Sequence, residues 1–121
     1  MASVTITMNK KQYYLLYNIT AFERQSLSQI ARNALYRMAG EEPPPYRRTW
    51  SPRLITPLLD DRPEHKPLKA AIYLTEDALK LADRLAKEKG MSRRGVVSMA
   101  LWDYVYRLAR EKYAEELRDF L

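Results

Sequence analysis

The chain has 121 residues, 46% of them hydrophobic, a formal net charge of +6 and no cysteine. That length allows one or two small domains around a modest shared core, and the lack of cysteine excludes both a disulfide framework and a thiolate metal site. The basic balance favours polyanionic partners over neutral ones, with solvated surface charge as the alternative, and it is uneven: residues 1–40 carry five Lys/Arg against one Glu, residues 41–66 five against five acids, and residues 67–121 eleven against nine.

Residues 3–8 alternate Ser3, Thr5 and Thr7 with Val4, Ile6 and Met8, the period of a strand buried on one face only. Asn9 followed by Gln12 predicts a capping box that opens a helix through Tyr13, Leu16, Tyr17, Ile19 and Thr20. Tyrosines at that spacing read as the edge of a core rather than as a binding platform. Ser26 with Gln29 predicts a second box, and that helix runs to Gly40, where Pro43, Pro44 and Pro45 exclude continuation.

Residues 41–66 form a proline-rich connector that, fully extended, would reach roughly 85 Å. Tyr46, Trp50, Leu54, Ile55, Leu58 and Leu59 make it too apolar for a free linker, so it is expected to lie against the folded body. Arg47, Arg48 and Arg53 are either solvated charge or contacts to a phosphate backbone.

A second alternation follows, with Lys69, Ala71 and Tyr73 on one face and Ala70, Ile72 and Leu74 on the other. Thr75 is a helix cap, and Glu76 and Asp77 place negative charge at the positive end of the helix dipole. Ala78, Ala82 and Leu85, with Leu79 and Ala86 beside them, recur at helical spacing until Gly90 ends the helix. Ser92 opens the last helix, whose apolar stripe is Val96, Val97, Ala100, Leu101, Tyr104 and Val105. The helical pattern persists through Leu108, Tyr113, Leu117 and Phe120. It predicts a C-terminal helical extension that either packs back on the chain or joins molecules.

Sliding the sequence by 66 positions superimposes residues 3–39 on residues 69–105 without a gap. Val4, Ile6 and Met8 fall on Ala70, Ile72 and Leu74; Leu15 and Ile19 fall on Leu81 and Leu85; Ser26 falls on Ser92. A lone strand leaves its amides and carbonyls unpaired, so the two strands are expected to pair with each other. The divisions implied are residues 1–40, a connector at 41–66, residues 67–107 and an extension at 108–121.

The chain has one histidine, His65, and no glycine-rich phosphate loop, which argues against an enzyme. No cofactor, metal or small-molecule ligand is implied. No apolar run reaches the length of a membrane span and no charged-then-apolar leader opens the chain, so a soluble, cytoplasmic protein is expected.

Gly90, Met91, Ser92, Arg93 and Arg94 with Val96, Val97, Ala100 and Leu101, and likewise Ser26, Ser28, Gln29, Ile30, Arg32, Ala34 and Leu35, resemble the turn and second helix of ribbon-helix-helix DNA-binding proteins of the MetJ, Arc and CopG type. Two copies in one short chain are also similar to regulators carried by archaeal viruses. The resemblance implies a mainly α fold with a short two-stranded antiparallel β-ribbon, the two copies forming an intramolecular pseudo-dimer. It implies sequence-specific binding of double-stranded DNA for transcription regulation, with the ribbon in the major groove. Ser3, Thr5, Thr7, Lys69, Ala71 and Tyr73 would face the bases. Ser26, Leu27, Ser28, Ser92, Arg93 and Arg94 would hold phosphates at the starts of the second helices. Gly95 departs from the family's acidic or polar residue and predicts a weaker cap, and Ala71 offers no hydrogen bond to a base. Two other classes fit the same pattern: an antitoxin with a toxin-binding tail at residues 106–121, and an architectural DNA-binding protein. Self-association through the C-terminal helix is a further expectation.

Overall fold

Asn9 and Thr75 set up the same local event at two places in the chain, a side-chain oxygen replacing the carbonyl that a first helical turn lacks. In the computed structural model, which describes residues 2–45 and 68–121, Asn9 accepts from the Gln12 amide at 2.7 Å while the Gln12 side chain accepts from the Asn9 amide at 3.0 Å. Thr75 accepts from the Ala78 amide at 3.4 Å. Ser26 supplies the forward half of its expected box, accepting from Gln29 N at 3.1 Å. Ser92 accepts from Gly95 N at 3.0 Å, so the cap forms despite glycine at that position.

These caps delimit β1 (Ala2–Met8), α1 (Lys10–Glu23), α2 (Leu27–Met38), β2 (Leu68–Leu74), α3 (Glu76–Lys89) and α4 (Arg93–Glu111), followed by a short 3-10 turn at Arg118–Phe120. The described chain is thus mainly helical, with one small two-stranded sheet. Both strands, α1 with α3, and the starts of α2 and α4 recur at the 66-residue offset. The stops recur too: Arg24 ends α1 and Gly90 ends α3, both in the left-handed conformation.

The strands pair antiparallel from Ala2 opposite Leu74 to Met8 opposite Leu68. One face is buried, with Ile6 and Ile72 at its centre; the other, carrying Ser3, Thr5, Thr7, Lys69, Ala71 and Tyr73, is exposed. A two-stranded ribbon is marginal by itself and needs a layer beneath it. The helices supply that layer in a crossed manner, α2 packing on β2 and α4 on β1, while α2 and α4 pack on each other. Leu15, Ile19, Ile30, Leu35, Val96 and Leu101 are fully enclosed there. At roughly 1.5–3 kcal/mol for each large apolar side chain buried, this shared layer, rather than helix propensity, holds the ribbon.

The expectations that rested on the connector from Tyr46 onward, including Arg47, Arg48, Arg53 and His65, lie outside the described residues. The expected C-terminal helix differs from what forms. Helix α4 ends at Glu111, with Lys112 as its cap, so it runs unbroken across the division expected after residue 107. The chain then turns back toward α1. Leu117 is only 1% exposed, and the Leu117 amide donates to the Tyr113 carbonyl at 2.9 Å. A continuous helix would have carried Leu117 away from the body; turning back buries it. Of the two roles left open for the tail, packing on its own chain is the observed one, and Leu117 is withdrawn from any self-associating surface.

Leu117→Ala should therefore destabilise the whole fold by about 2–5 kcal/mol, the range for emptying a buried leucine site. Urea unfolding followed by circular dichroism checks this, and a variant as stable as the parent would show that the tail is only loosely attached.

Candidate nucleic-acid interface

Because side chains alternate along a strand, the six expected base-facing residues fall on one surface, and the register makes them three directly opposed pairs: Ser3 with Tyr73, Thr5 with Ala71, and Thr7 with Lys69. All six are exposed, and Tyr73, at 58%, stands out of the ribbon as a large side chain in solvent. This face offers hydroxyls, one ammonium group, one phenol and two threonine methyls. It is unequal along its length. The Thr7 and Lys69 end is followed by Lys10 and Lys11 at the start of α1, whereas the Ser3 and Tyr73 end is followed by Glu76 and Asp77 at the start of α3.

The six expected phosphate-facing residues divide differently. Ser92, Arg93 and Arg94 line an open depression together with Ser3, Val4 and Thr5, so the start of α4 and strand β1 share one surface. Within it, Arg93 is held by Asp83 of α3 through two bonds, Nε to Oδ1 at 2.7 Å and an Nη to Oδ2 at 3.0 Å. Hydrogen bonding from Arg93 holds the Asp83 carboxyl below the usual carboxylate range, and the bond to Asp83 pushes the guanidinium further up. Arg93 thus reaches the surface with much of its charge already countered. Arg94 is exposed and makes no ion pair among the described residues.

On the other flank, the Leu27 side chain is buried in the core, 4% exposed, and does not face a ligand. The Ser28 hydroxyl accepts from the Tyr73 amide at 2.9 Å, tying the start of α2 to the edge of β2. That bond also covers an edge amide that would otherwise be open to pairing with another strand. Arg24, which the sequence reading did not single out, is exposed two residues before Ser26. Its signal was available in the repeat, since it stands where the second copy has Gly90.

A separate polar cluster joins the end of α1 to the end of α4. Glu23 at the end of α1 accepts from Lys112 Nζ at 2.8 Å and from the Tyr113 hydroxyl, while Phe22 stacks on Tyr113 with ring centroids 4.9 Å apart. Burial works to raise the Glu23 carboxyl, but the bonds from Lys112 and Tyr113 and the ammonium charge outweigh it and hold the group below its ordinary value. Burial and the bond to Glu23 push the Tyr113 hydroxyl up, so it retains the proton that the bond requires. No helix among the described residues is long and apolar enough to cross a membrane. No cluster of three or more His, Cys, Asp or Glu among them could hold a metal ion.

A carboxyl whose folded value is depressed contributes stability above its unfolded value and loses that contribution as pH falls through the folded one. Glu23→Gln should therefore cost on the order of 1 kcal/mol near pH 7, where a charge-assisted bond becomes a neutral one. The difference from the parent should shrink as pH falls through the ordinary carboxylate range and vanish only below Glu23's own depressed value. Urea midpoints of both proteins across pH 7 to pH 2.5 check it; a gap that stays constant would remove the assigned role of the carboxylate charge.

No family model matches the chain, and the searches of curated proteins and of solved structures likewise found no match.

Proposed function

We propose that this chain is a sequence-specific double-stranded DNA-binding protein and transcription regulator, a tandem ribbon-helix-helix pseudo-dimer that lays its β-ribbon in the major groove. The observation that carries the reading is the register. Thr5 lies opposite Ala71, and Ala71 is the counterpart of Thr5 at the 66-residue offset. A residue opposite its own counterpart, at the middle of both seven-residue strands, is what a two-fold relation between the copies would produce. The crossed packing of α2 on β2 and α4 on β1 supports the same relation.

The chemistry supports a duplex as the partner. A major groove about 12 Å wide admits a two-stranded ribbon. Hydroxyls of Ser3, Thr5, Thr7 and Tyr73 can donate to or accept from base edges, Lys69 can donate to guanine, and the threonine methyls and Ala71 can pack on thymine methyl groups. The starts of α2 and α4 flank the ribbon, with backbone amides and Arg94 suited to phosphate oxygens. Gene regulation is the use to which selective binding of this kind is put. The antitoxin alternative needs a free tail, and the enclosure of Leu117 disfavours it. The architectural alternative is separated by whether binding ignores sequence.

The two halves of the ribbon differ in side chains, so the preferred site should lack two-fold symmetry and have a direction. Selection of bound sequences from a random duplex pool tests this. A non-palindromic consensus is expected, with Thr5→Ala and Tyr73→Ala relaxing it at different base positions, each at a cost of about 1–3 kcal/mol. Recovery of a perfect inverted repeat would contradict the directional site, and recovery of no consensus would favour the architectural alternative.

A further inference from the structure

Arg24 is the single residue other than glycine with a positive φ among the described residues, at 53°. Its repeat counterpart Gly90 adopts the same region at 64°, where the lack of a Cβ removes the steric penalty that an arginine meets. Nothing local requires arginine here. Its backbone amide closes α1 onto the Ala21 and Thr20 carbonyls, a task that glycine performs as well. Its side chain is exposed and makes no hydrogen bond or ion pair among the described residues.

The other flank carries its available arginine at a different place in the repeat. Arg94 stands two residues after the Ser92 cap, beside Ser3 and Thr5; Arg24 stands two residues before the Ser26 cap. The residue equivalent to Arg94 is Ser28, whose hydroxyl is occupied by the Tyr73 amide, and the residue equivalent to Arg24 is a glycine. Among the described residues, Arg94 at the start of α4 and Arg24 just before α2 are therefore exposed guanidinium groups without an ion pair, and no two-fold operation relates them.

We propose that Arg24 and Arg94 are the two phosphate anchors of the ribbon, drawn from non-equivalent positions so that the duplex is gripped without two-fold symmetry. The proposal rests on the reading of the ribbon as a DNA-binding face. A guanidinium suits the role because its planar fork can donate two bonds to one phosphate. The asymmetry it introduces is separate from that of the base-facing side chains.

The test uses the selected duplex, a salt series and phosphate-ethylation interference on wild type, Arg24→Gly, Arg24→Lys and Arg94→Ser. Arg24→Gly should be at least as stable to urea as wild type, because the left-handed position is relieved, yet bind roughly tenfold more weakly, with the salt slope lowered by about one. Arg24→Lys should recover most of the binding, and Arg94→Ser should lose a similar amount of affinity at a different phosphate. Unchanged affinity and slope in Arg24→Gly would overturn the anchor. Interference sites related by a dyad in the wild type would overturn the asymmetric grip while leaving the DNA reading intact. Absence of salt-dependent duplex binding by wild type would overturn both.

Discussion

Everything in this fold depends on two seven-residue strands that cannot exist apart. Each has a full set of outward amides and carbonyls, and each has one apolar face that needs covering. Pairing them satisfies the first need and creates a single apolar surface for the helices to satisfy the second. Because both strands belong to one chain, the partner is always present at high effective concentration, and pairing does not depend on how much protein surrounds it. The crossed packing follows, since each second helix covers the strand that its own repeat did not supply.

The elements recur at the 66-residue offset, but many of their side chains differ. Glu23, with Lys112 and Tyr113 around it, stands where the second copy has Lys89. Ser28 ties α2 to the edge of β2, and its counterpart Arg94 has no acceptor to offer there. Lys10 and Lys11 open α1 against the helix dipole, whereas Glu76 and Asp77 open α3 in agreement with it. A homodimer cannot hold such differences, because each would appear on both sides of its axis. Here they give the molecule two unlike ends and two unlike flanks.

Much of this was legible from residue order. The alternation around Val4 and Ile72, the caps Asn9, Ser26, Thr75 and Ser92, and the 66-residue offset are local or periodic features that need no tertiary information. The exposed ribbon face was legible for the same reason, since alternation alone assigns Ser3, Thr5 and Thr7 to one side. Features that join distant segments were not. The Ser28 hydroxyl meets the Tyr73 amide across 45 positions, and Arg93 meets Asp83 across a turn whose shape the spacing does not specify. The tail misled because Leu108, Tyr113, Leu117 and Phe120 fit a continuing helix, while the site that receives Leu117 is formed by other parts of the chain.

One chain alone forms the ribbon, and the absence of cysteine makes this directly measurable. The Tyr73 amide points away from β1 to reach Ser28, so Ser3 and Tyr73 form a non-hydrogen-bonded pair, as do Thr5 and Ala71 two residues on. Opposed side chains in such pairs lie close enough for a disulfide. Thr5→Cys combined with Ala71→Cys, oxidised and run on a non-reducing gel, should give a cross-linked species with the mass of one chain. A ribbon built between two chains would instead place each strand against its own copy, joining Cys to Cys across a two-fold axis. Accumulation of covalent dimer in place of the cross-linked monomer would contradict the account.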